Sequence, residues 1–292
     1  VYAGRALLKP IVITGRLPGG QLTQTSDIEN YPGFSEAVNG FELMSSFQKQ
    51  AERFGSEVLY DAALSVDFKQ GGPQKIVLES GGEIEAMSVI ISTGASPRWL
   101  GIDSEKRLMA KGVSACATCD GAFFKNVPIV VVGGGDTAME EAIFLTRFAS
   151  KVYLVHRRDE LRASKIMADR AMKNPKIEFV WNSVVNEIIG ENSVEAVLIK
   201  NLKDGKVSRL EAKGYFAALG HDPNTLLFKG KVEMDEDGYI LLQGGNSSRT
   251  SVDGVFAAGD CADKSYRQAV TAAGMGCRAA IDAERWLEAM TH

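Results

Sequence analysis

The sequence predicts an α/β protein built from two nested Rossmann-like, three-layer domains, and three observations point that way. First, Val127–Val132 is a short, apolar, β-branched run that stops at Gly133-Gly134-Gly135. From Thr137 to Ser150, apolar Met139, Ala142, Ile143, Leu145 and Phe148 then recur near helical spacing, and Lys151–Val155 reads as the next strand. A strand, helix and strand closed within about thirty residues form a parallel unit with a right-handed crossover. Second, the two ends of the chain read as one kind of fold. Third, 292 residues is about twice a common domain length, enough for two cores.

Each element has its own signal. Pro10–Thr14 and Val89–Thr93 read as buried strands, Phe41–Phe54 as an amphipathic helix, and Val66–Ser80 as a hairpin or small meander around Gly71-Gly72-Pro73. Near the end, Val255–Asp260 reads as a strand closing on Gly-Asp, followed by a helix of small residues from Gln268 to Met290. Ser96-Pro97-Arg98 and His221-Asp222-Pro223-Asn224-Thr225 read as proline-containing turns flanking the middle segment. They mark either the two crossings of an inserted domain, able to act as a hinge pair, or ordinary surface turns. On the first reading, 1–97 and 224–292 make the outer domain and 98–223 the inserted one.

Composition narrows the function. Hydrophobic residues at 45% and charged residues at 24% are those of an ordered globular protein, and 30 glycines predict many tight turns. A net charge of −4, with no Lys/Arg block longer than a dipeptide, argues against nucleic acid as a partner. No apolar run approaches the roughly 18–20 residues of a membrane span, and the opening Val1-Tyr2-Ala3-Gly4-Arg5-Ala6 lacks the layout of a secretory signal, so the expectation is a soluble, intracellular protein. Four cysteines are too few for a disulfide scaffold of this size. Cys116 and Cys119 form a C-x-x-C, whose reading in a reducing compartment is catalysis. A zinc site would need a second pair, and Cys261 and Cys277 stand sixteen apart with no His at ligand spacing. Those two read as small buried apolar residues.

Two motifs carry chemistry. A C-x-x-C brings two sulfurs close enough to close a disulfide, and a helix N-terminus or positive potential nearby lowers one thiol's pKa towards neutral, which speeds exchange. Asp120, which precedes Gly121, could equally be a turn former. Gly133, Gly135 and Ala138 fill the three small positions of a dinucleotide fingerprint: tight turn, close backbone approach to a pyrophosphate, and helix–strand packing. Gly134, Asp136 and Thr137 line the same turn, and the following helix N-terminus favours phosphate. About twenty residues on, where an NAD site carries an acidic residue, the chain reads His156-Arg157-Arg158, with Arg162 one helical turn later. Three guanidinium groups suit a 2′-phosphate, which predicts NADPH over NADH. His156 either faces the nucleotide or lies on the surface.

Cys-Ala-Thr-Cys-Asp, Gly-Gly-Gly-Asp-Thr-Ala, His-Arg-Arg-Asp-Glu-Leu-Arg-Ala and a late Gly-Asp-Cys followed by Arg267-Gln268-Ala269 occur here in one order and spacing. In these motifs the chain, from Val1 to about Trp286, closely resembles low-molecular-weight NADPH-dependent thioredoxin reductases. The resemblance implies FAD as a second cofactor, with the NADPH domain inserted in the FAD domain. It implies that Cys119 sits against the flavin, that Cys116 attacks the partner's disulfide, and that Asp120 moves the proton. Asp260 after Gly259 would bond the ribityl chain, and Arg267, Gln268 and Ala269 would lie along the isoalloxazine. Further flavin contacts are implied at Thr14, Gly15, Gly19, Gly20, Gln21, Leu22, Asn30, Gly94 and Ala95. Thioredoxin is the implied partner, with a cytoplasmic homodimer as the working form, an organellar stroma or matrix being the other address. Because the cysteine pair and the nicotinamide site share a domain, they would meet the flavin in turn by rotation about the Pro97 and Pro223 connections.

One departure bears on the flavin. The resembled family begins with a strand and a Gly-rich fingerprint for the FAD pyrophosphate, whereas this sequence opens inside what would be the first helix. The expectation is that a protein starting at Val1 purifies colourless and unstable. Other readings of the same motifs are a reductase serving another dithiol carrier, such as the glutaredoxin-like module of an alkyl hydroperoxide reductase, a ferredoxin- or flavodoxin-NADP reductase, and a nucleotide-binding module without turnover.

Overall fold

In a computed structural model that describes residues 1–25 and 27–290, the chain opens on a short helix, α1 (Tyr2–Arg5), and a strand, β1 (Ile11–Ile13). Asn39 starts the first long helix, α2 (Gly40–Arg53), by accepting the N–H groups of Phe41 and Glu42 on its side-chain oxygen. Those donors have no partner within the helix, so the cap removes a desolvation cost. Next come β2 (Glu57–Leu59), β3 (Ala63–Asp67), β4 (Gln74–Leu78), β5 (Glu83–Ala86), β6 (Val89–Ile91) and β7 (Ala95–Pro97). β1 pairs with β2 in parallel, while β3, β4 and β5 form an antiparallel sheet. The meander read over Val66–Ser80 therefore extends in both directions, from Ala63 to Ala86.

Pro97–His221 is a unit of its own. It contains α3 (Asp103–Arg107), β8 (Val113–Ser114), α4 (Ala117–Asp120), β9 (Pro128–Val132), α5 (Asp136–Leu145), β10 (Lys151–Val155), α6 (Lys165–Met172), β11 (Ile177–Val180), β12 (Ser183–Ile189), β13 (Ala196–Asn201), β14 (Val207–Glu211) and β15 (Gly214–Ala217). Five of these strands make a parallel sheet in the order β11-β10-β9-β15-β8. Successive side chains of a strand point to opposite faces, and β9 uses both. Ile129 and Val131 pack with Ala138, Met139, Ala142 and Leu145 of α5. Val130 and Val132 pack with Val185, Ile188, Val197 and Ile199 of the β12–β13–β14 antiparallel sheet. Covered on both sides, β9 has to read as an unbroken apolar run, and each of its fully buried valines contributes about 1.5–3 kcal/mol.

The second unit comprises Val1–Ser96 and Asp222–His292. After the inserted segment it adds β16 (His221–Pro223), β17 (Val255–Ala257) and α7 (Ala269–Met290). β17 runs parallel to β6. Val255 and Ala257 face a core with Ile91 and Cys261, whereas Phe256 packs with Ala279, Ala283 and Trp286 of α7. Trp286 is tied down by donating its indole N–H to Asp253 at 2.8 Å.

Two expectations need correction. β1 is a strand but not a buried one: Ile11 and Val12 are 45% and 43% exposed. Among the described residues its hydrogen-bonded partner strand is β2 alone, on one edge. Ser96-Pro97 and His221–Pro223 are not turns, because each lies in a short strand, β7 or β16, and the two strands are neighbours in a two-stranded sheet. Proline is compatible with such a strand where its missing N–H faces away from the ladder.

Candidate functional site

The turn between β9 and α5 is shaped by what surrounds it. A Cβ on Gly133 would lie 2.4 Å from the Ala218 carbonyl oxygen and 2.6 Å from the Ala138 Cβ, so only glycine lets strand and helix approach this closely. A Cβ on Gly134 would lie 2.1 Å from the His156 ring, whereas beside Gly135 there is open space. Gly135 is the N-cap of α5, a ten-residue helix whose first N–H groups receive no side-chain cap bond from it. Asp136 and Thr137 form its first turn, and Ala138 is buried.

The loop after β10 carries the arginines. Arg157, Arg158 and Arg162 are exposed, and among the described residues none of them has an ion pair. The backbone holds the loop to the turn: Arg162 N–H and Ala163 N–H both donate to the Gly134 carbonyl, at 2.8 and 3.2 Å. His156 does not face outwards. It is buried under Gly134, and its Nε2 donates to the Glu160 carbonyl at 3.0 Å. Burial pushes its pKa below the ordinary value and the nearby charges of Arg162 and Arg157 add to that, so the ring is neutral at pH 7. A glycine turn with room beside Gly135, a helix N-terminus and three exposed guanidiniums fit a dinucleotide with a 2′-phosphate.

Cys116 and Cys119 are joined in a disulfide, with their Cα atoms 5.3 Å apart. Cys116 is the N-cap of the single-turn helix α4 that carries Cys119 and Asp120. Ser114, at the end of β8, holds this turn through its hydroxyl, which accepts the Cys116 N–H at 3.0 Å. Asp120 is largely buried, and desolvation raises its pKa while a hydrogen bond from Ser114 pulls it down.

In the other unit, Thr14 follows β1 and its N–H donates to the Leu59 carbonyl, while the Gly15 N–H donates to the Asp61 carbonyl. Gly19 and Gly20 lead into a single-turn 3-10 helix that holds Gln21 and Leu22. The Gln21 amide donates to the Ala95 carbonyl, and the Asn30 amide donates to Gln268 Oε1 at 3.3 Å, so residues far apart in sequence meet in two pairs. Gly15 and Gly94 both have φ of +70° and nothing within 4 Å of where a Cβ would stand. Gly259 lies two residues beyond β17, and the Asp260 carboxyl behind it is pushed up to about 6 by burial and by the charge of Asp263, against the opposing charge of Arg267. Arg267 and Gln268 precede α7, and Ala269 is its first residue.

Sequence reasoning missed Ser114 and Ser164. Both are serines adjoining a helix or strand end, and Ser164 stands at the N-cap of α6, a position where serine signals a helix start. Among the described residues no cluster of His, Cys, Asp and Glu could hold a metal ion, and no helix is long and apolar enough to cross a membrane.

The sequence pattern of the pyridine nucleotide-disulphide oxidoreductases matches residues 1–276. The chain is similar to a thioredoxin reductase of Rickettsia conorii, 54% identical over 290 residues that cover 98% of this chain and 93% of that one. Among solved structures, a thioredoxin reductase from Giardia duodenalis is 49% identical with a TM-score of 0.93, covering 98% of this chain and 93% of that one. One from Streptococcus pyogenes is 43% identical with the same TM-score, at 99% and 93% coverage.

Proposed function

The chain belongs to the pyridine nucleotide-disulphide oxidoreductase family, and from that membership we propose that it is a thioredoxin-disulfide reductase, drawing electrons from NADPH and delivering them to thioredoxin through Cys116 and Cys119. FAD and NADPH are its cofactors. One observation carries the reading: the disulfide stands in the same unit as a glycine turn and three exposed arginines that, among the described residues, make no ion pair. NADPH binds there, with its pyrophosphate at Gly135 and the N-terminus of α5 and its 2′-phosphate among Arg157, Arg158 and Arg162. FAD binds in the unit of Val1–Ser96 and Asp222–His292, against Thr14, Gly15, Gly19, Gly20, Gln21, Leu22, Asn30, Gly94, Ala95, Gly259, Asp260, Arg267, Gln268 and Ala269. When bound, it supplies the two-electron relay between a nicotinamide hydride and a disulfide.

The residues of the chain do the rest. Two electrons and one proton convert the Cys116–Cys119 disulfide to a thiol and a thiolate, and Asp120, next to Cys119 in the chain, serves as the carboxyl that passes this proton. The Cys116 thiolate attacks one sulfur of the thioredoxin disulfide, forming a mixed disulfide and expelling a thiolate that takes up a proton. Cys119 then attacks the Cys116 sulfur, which restores the internal disulfide and releases reduced thioredoxin. The resemblance further carries a homodimer and a cytoplasmic address, and sedimentation of the purified chain tests the first.

The decisive test replaces Cys116 or Cys119 with serine in protein supplied with FAD. NADPH-driven reduction of thioredoxin should fall on the order of a thousandfold or more, because a covalent nucleophile is lost, while flavin bleaching by NADPH persists. Turnover that survives both replacements would exclude this reading.

A further inference from the structure

The arginines that would recognise the 2′-phosphate lie on an exposed loop, and exposed arginines on a loop choose a ligand only if something fixes the loop. The structure supplies a fixing element from outside it. Asp136, the first residue of α5, accepts two hydrogen bonds on one oxygen, from the Ser164 N–H at 2.8 Å and the Ser164 hydroxyl at 2.9 Å. Ser164 directly follows the arginine loop and is the N-cap of α6, yet it makes no side-chain cap bond to its own helix. Its hydroxyl is spent on Asp136 instead. The loop is thus tied to the nucleotide turn at two successive places, through Arg162 and Ala163 to the Gly134 carbonyl and through Ser164 to Asp136.

The charge of Asp136 sharpens the point. A carboxylate in the first turn of a helix that faces a pyrophosphate opposes the anion by ordinary Coulomb repulsion. Its place there is understandable if it holds cationic side chains where the ligand needs them, and bonds to a charged acceptor hold more firmly than neutral ones. At the other end of the loop, His156 anchors Glu160 and lies against Gly134, and the Arg158 carbonyl accepts the Asn182 N–H at 3.2 Å. The segment 157–163 is therefore pinned on both sides while its three guanidiniums stay exposed.

We propose that Asp136 and Ser164 form a clasp that sets the preference for NADPH over NADH without touching the 2′-phosphate, both acting as positioning residues for Arg157, Arg158 and Arg162. The proposal rests on the reading that these arginines hold that phosphate. Loosening the clasp spreads the arginines over many arrangements, so the phosphate has to order them on binding, a cost that NAD⁺ never meets.

The test is calorimetric titration of the full-length protein with NADP⁺ and with NAD⁺, comparing wild type with Ser164→Ala, Ser164→Thr and Asp136→Asn. For Ser164→Ala, NADP⁺ affinity should fall about tenfold while NAD⁺ affinity stays within about twofold, reducing the preference by about the same tenfold factor. Ser164→Thr, which keeps the hydroxyl, should restore the preference, and Asp136→Asn, which keeps an acceptor but not the charge, should fall between. In turnover the loss should appear in KM for NADPH and not in kcat. An unchanged preference in Ser164→Ala, or equal weakening of both nucleotides, overturns the clasp and leaves the arginine assignment standing. A wild type that binds NADP⁺ no better than NAD⁺ overturns both.

Discussion

The glycines of the two units are glycine for opposite reasons. At Gly133 and Gly134 the space is already taken: a Cβ would run into the Ala218 carbonyl at 2.4 Å in one case and into the His156 ring at 2.1 Å in the other. At Gly15 and Gly94 the space is empty, and what excludes other residues is a left-handed backbone with φ of +70°. The first turn is a packing joint inside a closed three-layer core, where the strand beneath it is buried on both faces. The second pair borders open room, in a unit whose strand β1 leaves Ile11 and Val12 half exposed. In the Pro97–His221 unit the glycines are fixed by what packs around them, whereas at Gly15 and Gly94 the backbone conformation alone demands glycine.

The comparison breaks first at Gly134. Alanine there must displace the imidazole or the turn, and overpacking of a closed core at this distance should destabilise the Pro97–His221 unit by about 3 kcal/mol. His156→Ala removes the obstacle at the cost of a cavity and of the bond to Glu160. The double variant Gly134→Ala/His156→Ala should therefore be more stable than the sum of the single losses, by more than about 1 kcal/mol in a denaturation cycle. Strict additivity would mean that Gly134 is not glycine on account of His156.

A smaller effect separates the two units by pH. Asp260 has its folded-state pKa pushed up from 3.8 to about 6, so folding favours its protonated form. The stabilisation from this group is full below pH 3.8 and is lost as pH rises through 6. After allowance for solvent screening, that amounts to about 2 kcal/mol at pH 7.5. In flavin-free protein Asp260→Asn should gain about that much over wild type in urea unfolding at pH 7.5 and nothing at pH 3.5. The same variant should bind FAD more weakly if the carboxylate meets the ribityl hydroxyls. A pH-independent difference would show that the burial of Asp260 is not what shifts it.

What was legible in the sequence was whatever is local. The run Val127–Val155 announces strand, turn, helix and strand, because the alternation of β9 is masked by burial on both faces and the apolar spacing of α5 is not. Cys116–Asp120 and Gly133–Ala138 could be singled out because each motif is continuous in the chain. What stayed hidden depends on contacts between distant segments. Ser164 meets Asp136 across 28 residues, Gln21 reaches the Ala95 carbonyl across 74, and Asn30 reaches Gln268 across 238. No periodicity reports such pairs. The misread β7 and β16 are three residues each and contain proline, a composition that signals a turn unless a neighbouring strand supplies the pairing.

The smallest effect tests the open side of the comparison. Gly94 has room for a side chain, so Gly94→Ala introduces no clash and costs only what a left-handed backbone costs an L-residue, about 1 kcal/mol. Its backbone carbonyl still accepts the Asn224 N–H at 2.9 Å, so the local chain path should survive. Asparagine tolerates this conformation better than alanine, and Gly94→Asn should recover part of the loss in thermal unfolding of flavin-free protein. The order reverses once FAD is added, because the larger asparagine side chain fills more of the empty lining. If alanine and asparagine rank alike with and without FAD, the space beside Gly94 is not where the flavin lies.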